Sequence, residues 1–279
     1  MPTPGRFSLA LLAAVFFAVR IEPSAHAQSR SPDGLRYDLW ADIPVTAGAA
    51  GVALALELLK GPIAPRSCRV CGVDGLDAAV RGALRWDDPA AADAASDWTG
   101  FVLTPAVALG TGALAAGVDH RFRDAPSSAL VIAETTALAV ALDDIVKLLV
   151  ARQRPYVHFA DSPEPAARDA DANLSFYSGH TNLAFAVAVA SGTVASMRGY
   201  RLAPVVWATS LPLAAVTGYL RVAADKHYFT DVLTGALVGA AAGFLVPFVF
   251  HRASAATPDP GTMPAPQGRA MFVASSWTF

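Results

Sequence analysis

Long apolar blocks separated by short polar ones dominate the chain from residue 99 to residue 250. Five of them, 99–118, 129–150, 181–197, 202–219 and 232–250, are long enough to cross a bilayer as helices, since a helix rises about 1.5 Å per residue and the hydrocarbon layer is about 30 Å thick. A sixth, 45–59, is shorter and contains Glu57, so it is expected to be a tilted span or a helix lying at the interface or packed on the bundle. No core block alternates with period two. The pattern predicts an all-α integral membrane bundle of five to six transmembrane helices, whose many Ala and Gly positions allow close helix contacts in lipid.

The front of the chain has a different pattern. Arg6, an apolar run over 7–19 and Ala25-His26-Ala27 have the layout of an export signal over residues 1–27, with Arg20 leaving an uncleaved anchor as the other reading. Residues 28–98 are then expected to be periplasmic or interfacial, with 45–59 as a possible first membrane helix. Cys68 and Cys71, in that exported stretch, are expected to form a local disulfide: an oxidising compartment permits it, and no further Cys or His lies close enough in sequence to complete a metal site of about four ligands. Residues 251–279 are expected to be a flexible tail, rich in Ala, Pro and Gly over 253–267 and weakly alternating at its end, where a single strand could not close a barrel.

With 54% hydrophobic and 16% charged residues and a net charge of −2, the chain points to membrane as a partner and excludes a nucleic-acid binder, which would need a basic stripe. Basic residues also set an orientation. His120, Arg121 and Arg123 follow the first of the five spans, Arg198 and Arg201 the third, and His251 and Arg252 the last. All three places fall on one side, which by the positive-inside rule is cytoplasmic. This creates a parity conflict with a cleaved signal: either 45–59 does not cross or the N-terminal apolar run is not a signal, and the expectation is a non-crossing or partly inserted 45–59 helix.

The opposite, periplasmic side receives three chemically loaded clusters. In the first, Lys147 and Arg154-Pro155 are seven residues apart, two helical turns, so both would emerge on one face if the helix continues. Asp143 or Asp144 could pair with the lysine. In the second, Ser178-Gly179-His180 opens the next apolar block, where helix N–H groups, a hydroxyl and a glycine permit close approach of an anion. In the third, Arg221 is followed by His227 and Asp231, and a carboxylate beside an imidazole can fix its tautomer and free its other nitrogen for attack. Each alone has an ordinary explanation: a snorkelling basic helix end, a Ser N-cap, a His–Asp cap. Arg152, Tyr156 and His158 are candidates to touch a headgroup; Asp225 and Lys226 read as a solvated loop. Glu134, ionisable inside a span, is either functional or a partner of the basic loop, and is left out of the site.

Taken together, Lys147, Arg154 and Pro155, then Ser178, Gly179 and His180, then Arg221, His227 and Asp231 resemble the three-part motif of the phosphatidic acid phosphatase type 2 superfamily. Tyr177 stands where that motif has Pro, and Leu220 where it has Ser. The resemblance implies a phosphatase that works without metal or cofactor. In it His227 would attack phosphorus to form a phosphohistidine, oriented by Asp231, and His180 would serve as acid and then base. Lys147, Arg154, Arg221, Ser178 and Gly179 would hold the phosphoryl oxygens. The implied substrate is a phosphomonoester or diphosphate of a membrane lipid or isoprenoid, at the outer face of a bacterial-type inner membrane. A lipid phosphotransferase would need the same residues, a vanadium-haloperoxidase-like oxidoreductase would have a similar pattern, and a non-catalytic binder of phosphorylated lipid is a third class. Which lipid is used, and the oligomeric state, are not readable from the sequence.

Overall fold

The computed structural model describes residues 29–30, 35–161 and 169–252; the expected signal over 1–27 lies outside them, as does the expected 251–279 tail except for His251, which is buried, and Arg252, which pairs with Leu35. A short antiparallel pair, β1 (Ser29–Arg30) and β2 (Arg36–Tyr37), precedes α1 (Leu39–Leu58). Asp38 caps α1, its carboxylate accepting from Trp40 N at 3.0 Å. Four short elements follow: α2 (Lys60–Ile63), the Cys68–Cys71 disulfide loop, α3 (Gly75–Leu84) and α4 (Pro89–Asp97). A π-helical turn over Trp98–Leu103 joins α4 to α5 (Thr104–Val118). Then come α6 (Ala125–Val150), α7 (Pro155–His158), α8 (Gly179–Met197), α9 (Ala203–Ala223) and α10 (Phe229–Phe250).

Among the described residues, four segments are apolar and long enough to cross a membrane: α1, α4 through α5, α9 and α10. The chain is thus a membrane protein of the all-α class, with large apolar side chains such as Trp40, Leu54, Phe101, Leu237 and Phe244 exposed on its flanks. The helices α6 and α8 run beside these four but are less apolar, and for a reason. α8 is the central helix, packed on α5, α6, α9 and α10, and α6 carries Glu134, Asp143, Asp144 and Lys147. Their polar groups face protein rather than lipid.

α10 meets α8 along a seam of glycines at every fourth position. A Cβ on Gly235 would stand 2.6 Å from the Ser178 carbonyl, one on Gly243 would stand 2.7 Å from Val189 Cβ, and one on Gly239 would overlap the Asn182 carbonyl. Without side chains there, the two backbones touch, which in lipid is the main source of helix association. Asn182 ties α8 to α6 as well, donating from Nδ2 to the Ala139 carbonyl at 2.9 Å.

The first helix departs from expectation. It is a 20-residue helix over Leu39–Leu58, not a partial one over 45–59, and it runs the full height of the bundle. Its first turn reaches the far end of α10, where Arg36 N donates to His251 O at 2.6 Å, and the chain beyond its last turn reaches Asp171 through Lys60 Nζ at 3.1 Å. Polar first-turn residues Asp38 and Asp42, which cap a helix start rather than interrupt a span, hid this length from a hydropathy reading. Six helices therefore stand side by side, and residues 60–97 form a cap over one end. The basic loops gather at the other end, where Arg121 Nη1 donates to Arg198 O at 2.9 Å and Arg201 bonds Asp119.

Two smaller expectations are also decided. Asp225 is buried, not solvated: it accepts from Arg81 Nε at 2.6 Å and faces Arg85 Nε at 3.3 Å, while Lys226 Nζ lies 3.2 Å from Asp93. Glu134 does have a partner on the basic side, His251, which follows the last span.

Candidate active site

Under the cap, the ends of α6 and α9 and the starts of α8 and α10 surround a cleft of about 500 Å³. Lys147, Arg154, Gly179, His180, Arg221 and His227 all line it. The helix carrying Lys147 does not continue to Arg154. Ala151 takes a left-handed conformation (φ 50°, ψ 51°) and closes α6, so Arg154 reaches the cleft from an extended linker as the residue before α7, with Pro155 at the first helical position.

Each cation of the cleft is held by a carboxylate. Lys147 Nζ lies 2.6 Å from Asp143 Oδ2. Arg154 Nε donates to the Asp171 carbonyl at 2.9 Å, with the Asp171 carboxylate 3.6 Å from Nη2. Arg221 Nη1 donates to Asp93 Oδ1 at 2.6 Å and to Ser96 Oγ at 2.8 Å. Burial alone would raise the Asp171 carboxyl, but Arg154 and Lys60 outweigh it and hold it below the ordinary carboxylate range. Three cations converging without bound anion would repel one another, and these aspartates offset that repulsion.

Ser178 and Gly179 occupy the start of α8. Ser178 is fully buried at the N-cap, its Oγ 2.9 Å from Thr181 Oγ1 and its N donating to the Asp231 carbonyl at 3.1 Å. A Cβ on Gly179 would sit 2.5 Å from Asp143 Oδ2 and 2.6 Å from Lys147 Nζ, so the Lys147–Asp143 pair packs directly on this bare backbone. His180 points Nε2 at Asp97 Oδ1, 2.7 Å away, and its ring lies 4.4 Å from that of Phe101 on the π turn. π turns recur at functional sites because they re-aim side chains, and nothing in the hydropathy pattern marks this one.

His227 precedes α10 rather than sharing a face with Asp231 on it. Its Nδ1 is 2.7 Å from the Ser175 carbonyl and 3.8 Å from Asp231 Oδ2. A carbonyl only accepts, so Nδ1 carries the proton and Nε2 presents a lone pair. Burial, reinforced by Arg154, Arg221 and Lys147, holds the imidazole well below its ordinary range and therefore neutral.

Asp231 acts one step back. Its Oδ2 accepts from Ser175 Oγ at 2.6 Å and from Tyr228 N at 3.0 Å, so it fixes the loop whose Ser175 carbonyl holds His227. Its Oδ1 lies 2.5 Å from Arg152 Nη1. Arg152, expected at a headgroup, is instead buried in a chain of charge: its Nη2 meets Asp77 Oδ2 at 2.6 Å, and its guanidinium lies 4.3 Å from the Tyr228 ring centre. Asp77 also accepts from Thr230 N at 2.9 Å and Thr230 Oγ1 at 2.7 Å. These partners, Asp77, Asp93, Asp97 and Ser175, carry no local sequence signature; they sit 75, 128, 83 and 52 residues from the groups they hold.

The two motif departures are both buried. Tyr177 has a phenol oxygen with no partner among the described residues, and Leu220 packs inward while Ser96 supplies a hydroxyl to Arg221. Residues 128–254 match the family model of the PAP2 superfamily. Searches of curated proteins and of solved structures found no match. The PAP2 match begins inside α6, so α1 and the cap lie before it. Yet Asp77, Asp93 and Asp97, which hold Arg152, Arg221 and His180, come from that cap.

Proposed function

We propose, from the phosphatase-type activity that the PAP2 match suggests, that the protein hydrolyses a phosphomonoester or diphosphate of a membrane lipid or isoprenoid, by way of a phosphohistidine. The observation that carries this reading is the double character of the cleft. Its floor holds Lys147, Arg154 and Arg221, while its wall is made of Ala53, Leu54 and Leu56 of α1 with Phe101 and Leu183. Leu54 and Phe101 are also exposed on the flank, so the apolar wall continues onto the surface that lipid covers. A phosphate head can enter among cations while its chains stay in the bilayer.

In the proposed reaction, Nε2 of His227 attacks phosphorus and the P–O bond to the lipid breaks. His180 delivers a proton to the leaving oxygen, giving a lipid alcohol and a phosphoryl group on His227. His180 then takes a proton from water as it attacks phosphorus, the P–N bond breaks, and inorganic phosphate leaves with both imidazoles restored. Asp97, 2.7 Å from His180 Nε2, is placed to orient the ring and to stabilise the imidazolium form that gives the first proton and is regained in the second step. Charge accumulating on the non-bridging oxygens is met by the three cations and the N–H groups at the start of α8, where Ser178 and Gly179 sit, and this electrostatic stabilisation is the main source of rate. The phosphate displaces the aspartate partners from those cations. The cleft end is proposed to face the periplasm or its equivalent, since the basic loops lie at the other end of the bundle.

The test is phosphate release from a panel of lipid phosphates and diphosphates in mixed micelles, with rapid quench to trap a phosphoryl-enzyme. Wild type is expected to release phosphate and to carry an acid-labile, alkali-stable label, and His227→Ala to lose both. Equal release by the two proteins overturns the mechanism; release without trapped label overturns the covalent intermediate.

A further inference from the structure

At the end of the bundle opposite the cleft, three helices bring ionisable groups together inside the protein. Asp42 comes from the first turn of α1, Glu134 from within α6, and His251 from the residue that caps α10. They are 9%, 6% and 2% exposed, and one ligand atom of each lies within 4.8 Å of the other two. None of them belongs to the proposed catalytic machinery. We infer that these three side chains form a divalent transition-metal site of the zinc type, which clips α1 to α6 and α10.

Three observations carry this. Among the described residues, Glu134 Oε2 and His251 Nε2 are both buried without a well-formed hydrogen bond, and they face each other at 3.5 Å. That gap is too long for a good hydrogen bond, but two ligands each about 2.1 Å from a tetrahedral ion stand roughly 3.4 Å apart. Next, His251 Nδ1 lies 3.1 Å from the Arg36 carbonyl and 3.9 Å from Asp42 Oδ2, so Nε2 is the ring nitrogen turned toward Glu134. With a cation between Nε2 and Glu134, the arrangement is a metal-bound imidazole oriented by a backbone carbonyl on its other nitrogen. Finally, two carboxylates beside a single imidazole leave buried negative charge in either protonation state of the ring, and a divalent ion neutralises it. The basic side chains next in sequence are turned elsewhere: Arg36 Nη2 toward the Phe250 carbonyl and Arg252 over the Phe248 ring. Mixed imidazole and carboxylate donors suit zinc and its neighbours rather than magnesium or calcium, which favour oxygen alone.

The full-length protein in detergent, stripped by chelator and passed through a desalting column, is titrated with Zn2+ and with Mg2+, and its metal content and melting temperature are measured. One zinc per chain is expected, with a higher melting temperature and no such response to magnesium. Glu134→Gln, close in shape, is expected to weaken zinc binding at least tenfold, whereas His227→Ala binds as wild type does. Zinc content well below one per chain in wild type, or unchanged affinity in Glu134→Gln, overturns the site. Zinc-edge X-ray absorption on wild type checks the same point without any variant: one nitrogen and oxygen ligands at about 2.0–2.2 Å are expected, and a shell containing sulfur or no histidine refutes it.

Discussion

At the scale of single residues, the cleft depends on two features that lie close to the reacting groups. The first is the absence of a side chain at position 179. In Gly179→Ala the new methyl would collide with Asp143 Oδ2 and Lys147 Nζ at 2.5 and 2.6 Å, forcing the lysine away from the phosphate. We expect kcat/KM to fall about 10- to 100-fold, roughly 1.4–2.8 kcal/mol in the barrier, with the melting temperature nearly unchanged. A large loss of thermal stability with normal turnover of the folded fraction would contradict this. The second is the neutrality of His227. Its folded pKa lies well below the ordinary value near 6.5, so below that pH the unfolded chain takes up a proton that the native chain does not. Stability is therefore expected to fall as pH drops below about 6.5 and, from this group, to stay flat above it. Melting curves at a series of pH values should show a shallower acid loss in His227→Asn than in wild type; identical slopes would rule the assignment out.

At the scale of elements, the ends of helices decide most of the chemistry. Lys147, Ser178, Arg221 and His227 all stand within a turn or so of a helix terminus, which is why each motif was visible in sequence as polar residues at the edge of an apolar block. How those ends meet was not visible. The two-turn spacing of Lys147 and Arg154 implied a continuous helix, and the left-handed Ala151 breaks it. The spacing of His227 and Asp231 implied a shared helical face, and instead the Ser175 carbonyl takes the imidazole proton while Asp231 braces the loop behind it. The glycine seam of α10 sets the separation of α8 and α10, hence the distance between Ser178 and Asp231. Gly239→Val is expected to lower stability by about 1–3 kcal/mol or more and to abolish turnover, because the branch would enter the Asn182 backbone. Gly110→Val, with nothing within 4 Å of the added carbon, is its control and should leave activity intact. Equal effects of the two changes would show that the seam does not govern the site.

At the scale of the whole molecule, α1 runs the height of the bundle, so that among the described residues six helices stand side by side. Leu35 pairs with Arg252, so both ends of the described bundle lie at the end away from the cleft. Single cysteines placed at Arg36 and Arg201, in a background lacking Cys68 and Cys71, are expected to be shielded from a membrane-impermeant maleimide in intact cells, and one at Arg66 to react. Labelling at Arg36 but not Arg201 would show that α1 does not cross. The sequence by itself determined the helical membrane class, the three polar clusters and the end of the bundle at which they gather, because apolar length, helix termini and loop charge are local properties. Only the tertiary structure decided which carboxylate holds which cation, that the cap supplies Asp77, Asp93 and Asp97 to the site, and that Asp42, Glu134 and His251 converge. Those are contacts between residues far apart in the chain, and their partners are chosen by how helices pack and by the need to satisfy buried charge, neither of which leaves a local pattern.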